Sequence, residues 1–278
     1  NDTTIKTVVE KCLLYCDDVI VVTDGCTDRT TDILHAIDGI TIVSYPQNRG
    51  KGYALKMGFR RALEMGFSYA ITLDGDGQHY PEDIPLFLKA NQQHPQSLII
   101  GSRQLEGVDR SKGSSFANKF SNFWFYVQTG RALPDTQTGY RLYPLHRLHG
   151  LSLLTSRYEA ELELLVFASW HGVKLVPIPV QVYYPPRNER VSHFRPGKDF
   201  ARISVLNTIL CFLAVVYGLP LRLWRALTTI LRTVYSLLFF LFFTLVVFTP
   251  FVWIYTKVGK MTERRRYRLH QLIYHASR

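Results

Sequence analysis

Two aspartates separated by one glycine, Asp74 and Asp76, close the apolar stretch AITLDGDGQH that begins at Ala70. Gly75 and Gly77 keep the turn small, so both carboxylates can converge on one hard divalent cation, with the Gln78 carbonyl oxygen as a further donor. Diphosphate oxygens would complete such a shell. The alternative for an isolated D-G-D is a glycine-rich loop with solvated acids. Three other stretches offer related chemistry. Asn48, Arg49, Gly50, Lys51 and Gly52 bring glycines and a cation to a helix start, which suits a phosphate group or forms a plain loop and cap. Asp135 to Arg141 (DTQTGYR) holds a carboxylate, the Gln137 amide and a guanidinium, or is only a turn. Arg187, Arg190, Arg195 and Lys198, with Ser192 and His193, precede a long apolar region. There they meet lipid headgroups or a phosphate substrate, or form a polybasic loop beside a membrane.

The elements that must position these residues follow from periodicity. Residues 3–15 have helical spacing, and 19–22 read as a strand. Thr27 then caps a helix that carries Asp28 in its first turn and runs through Ile37. Residues 40–43 form a second strand, and the segment around Lys51 opens a helix through Glu64. The β-branched run ending at Thr72 is a buried strand whose C-terminal end delivers Asp74 and Asp76, where open α/β sheets hold their ligands. Pro81 starts a helix through Ala90. A strand at 98–101 ends in Ser102 and Arg103. Residues 114–129 form an aromatic-rich helix, a packing element or a membrane-facing ridge. Residues 158–171 read as an amphipathic helix with Glu159, Glu161 and Glu163 near its start, two of them solvated. Residues 175–183 are a proline-interrupted strand suited to a sheet edge. The repeated strand-helix-strand order predicts a mainly parallel sheet.

The chain has 278 residues, 47% of them hydrophobic, enough for one large domain plus an appendage. Its net charge of +11 is concentrated at the end: residues 257–278 carry seven Lys/Arg against one Glu, and 201–256 carry four Arg and no acid. This distribution favours an anionic membrane surface and argues against a nucleic-acid-binding face on the globular part. The four cysteines, Cys12, Cys16, Cys26 and Cys211, set up neither zinc-ligand spacing nor a disulfide framework. Residues 203–221 and 233–256 lack charge over 19 and 24 positions. They predict a membrane hairpin whose turn contains Arg222, Arg225 and Arg232, with the catalytic part and the basic tail on the cytoplasmic face. An interfacial first helix with one span is the alternative. The expected division is a globular domain over 1–200, a membrane helical segment over 201–256 and a basic tail over 257–278 that opens a further domain.

Taken together, five segments resemble family-2 glycosyltransferases. VIVVTDGCTDRT (19–30) is similar to the segment written VVDDGSTD-x-T, NRGKGYALKMGF (48–59) to the NRGKG-x-A helix start, and TLDGDGQH (72–79) to the D-x-D loop. GSR (101–103) and DTQTGYRLYP (135–144) also match, the latter most like dolichyl-phosphate glucosyltransferases and related polyprenyl-phosphate glycosyltransferases. The resemblance covers about residues 1–200. It implies a GT-A fold, a nucleotide-binding Rossmann-like α/β domain with C-terminal membrane helices. It also implies transfer of one sugar, with inversion, from a nucleotide-diphosphate sugar to a polyprenyl phosphate, assisted by Mg2+ or Mn2+. Asp24 then contacts base or ribose, Lys51 lies near the nucleotide, and Asp74, Gly75 and Asp76 meet ribose and metal-diphosphate, with Gln78 a further metal contact. Arg103 and Arg141 lie near sugar-phosphate and acceptor, and Asp135 faces the sugar. Gln137, Ser192, Arg195 and Lys198 join the acceptor site. Thr23 and Cys26 replace the usual Asp and Ser, the family's first strand is absent so that Asn1 lies just past its turn, and no Q-x-x-R-W stretch of processive synthases occurs. Two other readings are transfer to a hydroxyl-bearing lipid, with Asp135 as base, and a non-catalytic nucleotide-binding membrane module.

Overall fold

A computed structural model describes residues 2–103, 112–148, 150, 153–183 and 196–258. In chain order its elements are α1 (Ile5–Leu13), β1 (Val19–Asp24), α2 (Thr30–His35), β2 (Ile40–Tyr45), α3 (Lys51–Glu64), β3 (Tyr69–Thr72), a 3-10 turn (Pro81–Asp83) and α4 (Ile84–Gln93). Then follow β4 (Leu98–Arg103), α5 (Lys112–Thr129), β5 (Arg141–Pro144), α6 (Leu145–Leu148), α7 (Glu159–Trp170), β6 (Leu175–Val180), α8 (Pro196–Leu213), α9 (Leu219–Phe242) and α10 (Thr249–Val258). The chain divides into two compact units, Asn1–Arg222 and Leu223–Arg278.

Both sheets belong to the first unit. β1 and β2 pair in parallel, and the second sheet has the order β3-β5-β4-β6. The mainly parallel arrangement holds with one exception: β3, β4 and β6 run in the same direction, whereas β5, between β3 and β4, runs antiparallel to both. Only four residues long and carrying Arg141 and Pro144, β5 has no alternation that a sequence reading can detect. β6 does lie at an edge, where Pro177 and Pro179 lack donors without breaking a central ladder.

Successive strand residues face opposite layers. Ile99 and Leu142 pack with Ile84, Phe87 and Ala90 of α4, whereas Leu98, Ile100 and Tyr143 pack with Phe125 of α5, Leu165 of α7 and Leu206 and Leu210 of α8. Ile5, Val9 and Leu34 cover the small sheet. α7 is buried nearly all round rather than amphipathic, and Glu161 and Glu163 lie inside. The expectation that two of its three acids are solvated therefore fails. Glu163 accepts from the Thr155 amide (2.9 Å) and hydroxyl (2.6 Å), so this carboxylate ties down the incoming loop. At α2 the cap also shifts: Asp28, rather than Thr27, accepts the Thr30 amide at 3.2 Å.

The globular part is expected to end at 200, but the first unit extends to Arg222 because α8 buries Leu206 and Leu210, and the π-helical turn after it Ala214, in its core. From Ala201 to Trp253 the helix is continuous, with π-helical turns at Ala214–Gly218 and Phe243–Phe248, and it is long and apolar enough to cross a membrane. The predicted hairpin is not formed. Arg222, Arg225 and Arg232 lie within α9, and no glycine or proline interrupts 221–249 to make a turn.

Candidate active site

The end of β1 is tied to the start of α3 through Asp24 and Gly50, and Lys51 of α3 reaches Asp74 in the loop after β3. Because β5 is antiparallel, its first residue meets the end of β3: Arg141 pairs with Thr72 of β3 and with Ile100 of β4. The loop before β5 is thereby inserted between Asp74 and Arg103. The Thr72 hydroxyl fastens it by donating to the Gly139 carbonyl at 2.7 Å.

Lys51, the first residue of α3, carries the centre of the site. Its ammonium lies 2.8 Å from Asp74 Oδ1 and 3.0 Å from Asp74 Oδ2, and 3.0 Å from Glu161 Oε2 of α7. Two close approaches allow this. Gly52 brings α3 against α7, where a Cβ would overlap that of Ala160. A Cβ on Gly139 would stand 2.7 Å from Lys51 Nζ and 2.8 Å from Asp74 Oδ2. Burial opposes the charge on Lys51, but Asp74 and Glu161 outweigh it and raise its pKa well above the usual range. Burial likewise acts to raise Asp74, yet Lys51 and then His79 bring its pKa below normal. Asp74 is thus ionised and paired.

Asp76, two residues on, is exposed, and its Oδ1 accepts the Gln78 amide at 2.9 Å. The Gln78 carbonyl already accepts the Tyr183 amide at 2.8 Å, and the Gly75 carbonyl accepts the Thr4 hydroxyl at 2.7 Å. Ile5 would contact any side chain at Gly75, so α1 props this loop from behind. Among the described residues no group of three His, Cys, Asp or Glu side chains is arranged to hold a metal. Two carboxylates with the remaining ligands supplied by phosphate oxygens is the usual way a protein holds Mg2+ on a nucleotide. His79 is buried, lies with its ring tilted against Tyr140 at 5.3 Å, and has no partner for Nδ1 among the described residues; burial lowers its pKa.

Asp24 ends β1 and binds the α3 approach. Its carboxylate accepts the Arg49 amide at 2.6 Å and the Gly50 amide at 2.8 Å. The donors expected to cradle a phosphate are therefore held by a side chain, and Tyr53 donates its amide to the Ser156 carbonyl at 2.9 Å. Arg49 lies 4.6 Å from the centre of the Tyr53 ring, and Tyr45 packs edge-on to that ring at 5.2 Å, forming an aromatic wall beside Asp24.

Arg103 and Asp135 form a second centre. Arg103 Nε and Nη2 donate to Asp135 Oδ2 and Oδ1 at 2.6 and 2.9 Å, a two-bond fork. The Gln137 amide also donates to Oδ1 at 3.1 Å, and Asp135 is 1% exposed. Gln137 itself is exposed, with its side-chain amide 3.3 Å from the Ala117 carbonyl.

Arg141 is not at the surface where an acceptor could reach it. It is 0% exposed and donates to the carbonyls of Glu161 and Thr136, each at 2.9 Å. Its guanidinium is a strut between the 134–140 loop and α7, which corrects the expected acceptor contact. Ser192 and Arg195 lie outside the described residues, and Lys198 falls in α8. Of the predicted residues, Asp24, Lys51, Asp74, Asp76, Arg103 and Asp135 converge. Glu161 and Gly139 were missed. The signal for Glu161 was a run of acids on an otherwise apolar helix paired with a glycine in the first turn of α3.

Comparison with known proteins gives the family and the fold. The sequence model of glycosyl transferase family 2 matches residues 2–143. The UDP-N-acetylglucosamine–dolichyl-phosphate N-acetylglucosaminyltransferase of Methanococcus voltae is 27% identical over 190 residues, covering 60% of this chain and 75% of that protein. The undecaprenyl-phosphate mannosyltransferase of Micrococcus luteus is 28% identical over 173 residues, covering 59% and 70%. In fold, glucosyl-3-phosphoglycerate synthase from Mycobacterium tuberculosis, solved with Mn2+, UDP and phosphoglyceric acid, superposes with a TM-score of 0.56 at 16% identity over 78% of this chain and 74% of that one.

Proposed function

The chain belongs to glycosyl transferase family 2, and from that premise we propose that it moves one sugar from a nucleotide-diphosphate sugar to a polyprenyl phosphate at a membrane surface. The observation that carries this reading is that exposed Asp76 follows the Lys51 and Asp74 pair in the loop after β3, with the Arg103 fork at the end of β4, one strand further on beyond β5. Relatives named for transfer to dolichyl and undecaprenyl phosphate support the acceptor class.

Each residue has a task in such a reaction. Asp24 and the wall of Tyr45, Tyr53 and Arg49 border the nucleoside. Asp76, with Asp74, would hold Mg2+ or Mn2+ on the donor diphosphate, where a bound cation supplies charge neutralisation for the departing nucleoside diphosphate. Arg103 presents a guanidinium to sugar-phosphate or acceptor, and Asp135 fixes its orientation. An acceptor phosphate is already an anion at neutral pH and needs no strong base. That suits Asp135, whose two oxygens accept from Arg103 and the Gln137 amide; transfer to a lipid hydroxyl would require this carboxylate as base. Attack opposite the leaving group inverts the anomeric centre.

Membrane association is supported within the first unit by neighbouring apolar faces. Phe116, Phe123 and Tyr126 of α5 are exposed, as are Val205, Ile209 and Phe212 of α8. α5 and α8 are joined by Gln128, which donates to Asn207 Oδ1 at 2.9 Å. Separately, the helical run of 201–253 is long and apolar enough to cross a membrane.

Asp76→Ala tests the donor site: metal-dependent sugar transfer falls at least about 100-fold while the unfolding temperature is maintained. Full metal-dependent turnover in that variant would refute the assignment.

A further inference from the structure

Lys51 serves two carboxylates. Both oxygens of Asp74 point at its ammonium, and Glu161 approaches the same nitrogen at 3.0 Å from another helix. While both Asp74 oxygens are engaged by the ammonium, a divalent cation approaching them meets a like charge. Glu161 is buried and lies beyond residue 143, where the family match ends. Its second oxygen, Oε1, has no hydrogen-bond partner among the described residues. A buried carboxylate oxygen without a donor is costly, and the Lys51 ammonium, already on the other oxygen of the same carboxylate, is within reach to supply one.

On the donor-site reading above, we infer that Glu161 is a positioning residue: it retains Lys51 when the nucleotide sugar and its cation recruit Asp74. Lys51 then moves fully onto the two Glu161 oxygens, Asp74 turns to the donor, and no buried ammonium is left unpaired. The exchange is available because Gly139 sets no Cβ against either group and Gly52 fixes how closely α3 approaches α7. Arg141, whose guanidinium bonds the Glu161 carbonyl, holds that end of α7 in place during the exchange.

The experiment is Mn2+ binding to the full chain in detergent, followed by electron paramagnetic resonance with Mn2+ alone and with UDP or GDP added. With Glu161→Gln, Lys51 has only Asp74 as counter-ion, so Mn2+ affinity falls about tenfold, the size typical of a group supporting a metal ligand. In a Lys51→Met background the competitor for Asp74 is gone, and Glu161→Gln then changes affinity by less than about twofold. Glu161→Asp, one methylene short of Lys51, gives an intermediate loss that also requires Lys51, and it replaces Glu161→Gln in the cycle if that variant does not fold. Unchanged Mn2+ affinity in Glu161→Gln, or an equal loss with and without Lys51, overturns the inference while leaving the donor site intact. Wild-type protein that binds no Mn2+ under any of these conditions overturns the donor-site reading, and the role of Glu161 with it.

Discussion

A buried carboxylate with all its acceptor directions taken behaves as a brace, and Asp135 is the example. Arg103 and Asp135 act as one unit, so their substitutions should not add. Asp135→Asn and Arg103→Lys are each expected to lower kcat/KM by about 100-fold, and the double variant to be no more than about threefold worse than either. Additive losses in this double-mutant cycle would instead give Asp135 a task of its own. Gly139→Ala adds a methyl group against Lys51 and Asp74. Both contacts are ends of flexible side chains, so the fold should survive with its unfolding temperature nearly unchanged while Mn2+ affinity drops; titration of the folded variant checks both. Sequence exposed Asp24, Lys51, Asp74 and Asp76 because short motifs place these residue types beside glycines. Glu161 was hidden, since acids at a helix start ordinarily complement the dipole, and its burial depends on a helix crossing no local pattern encodes.

The same contrast holds for elements. Long periodic segments such as α3, α5 and the β-branched strands β1 and β2 were legible, because one face or both must be buried. β5 was not, although it brings the 134–140 loop into the site, because tertiary pairing rather than propensity makes Arg141–Pro144 a strand. α7 starts with acids that suggest a solvated face, but it is apolar overall and has the environment of a core helix. Its Glu163 is 0% exposed and receives three hydrogen bonds, from the Leu154 and Thr155 amides and the Thr155 hydroxyl. Glu163→Ala therefore strands these donors and should cost about 2–4 kcal/mol, read as a fall in unfolding temperature. Gly52→Ala forces α3 from α7 and should cost about 1–3 kcal/mol, together with weaker Mn2+ binding because Lys51 moves from Glu161. A Gly52→Ala protein with wild-type stability and Mn2+ affinity would show that the crossing is not set at that glycine.

For the whole molecule, composition separated a nearly neutral globular part from a basic, apolar end, and the structure relocates where one gives way to the other. α8 is both a core helix and a bearer of exposed apolar residues, a double role that a hydropathy reading counts only as a candidate span. Its buried polar contact, Gln128 with Asn207, explains why the helix docks in one register. The membrane reading predicts that the full chain stays in the membrane pellet after alkaline carbonate treatment; release to the supernatant would contradict anchoring by the 201–253 helix. The central claim concerns transfer itself, and the most direct measurement supplies radiolabelled UDP- and GDP-sugars to membranes containing the full chain, with Mg2+ or Mn2+ and with chelator, then treats the labelled lipid with mild acid. The predicted result is a metal-dependent product that mild acid cleaves, as expected of a sugar joined to a polyprenyl phosphate. An acid-stable glycolipid, or no transfer from any donor, would contradict it.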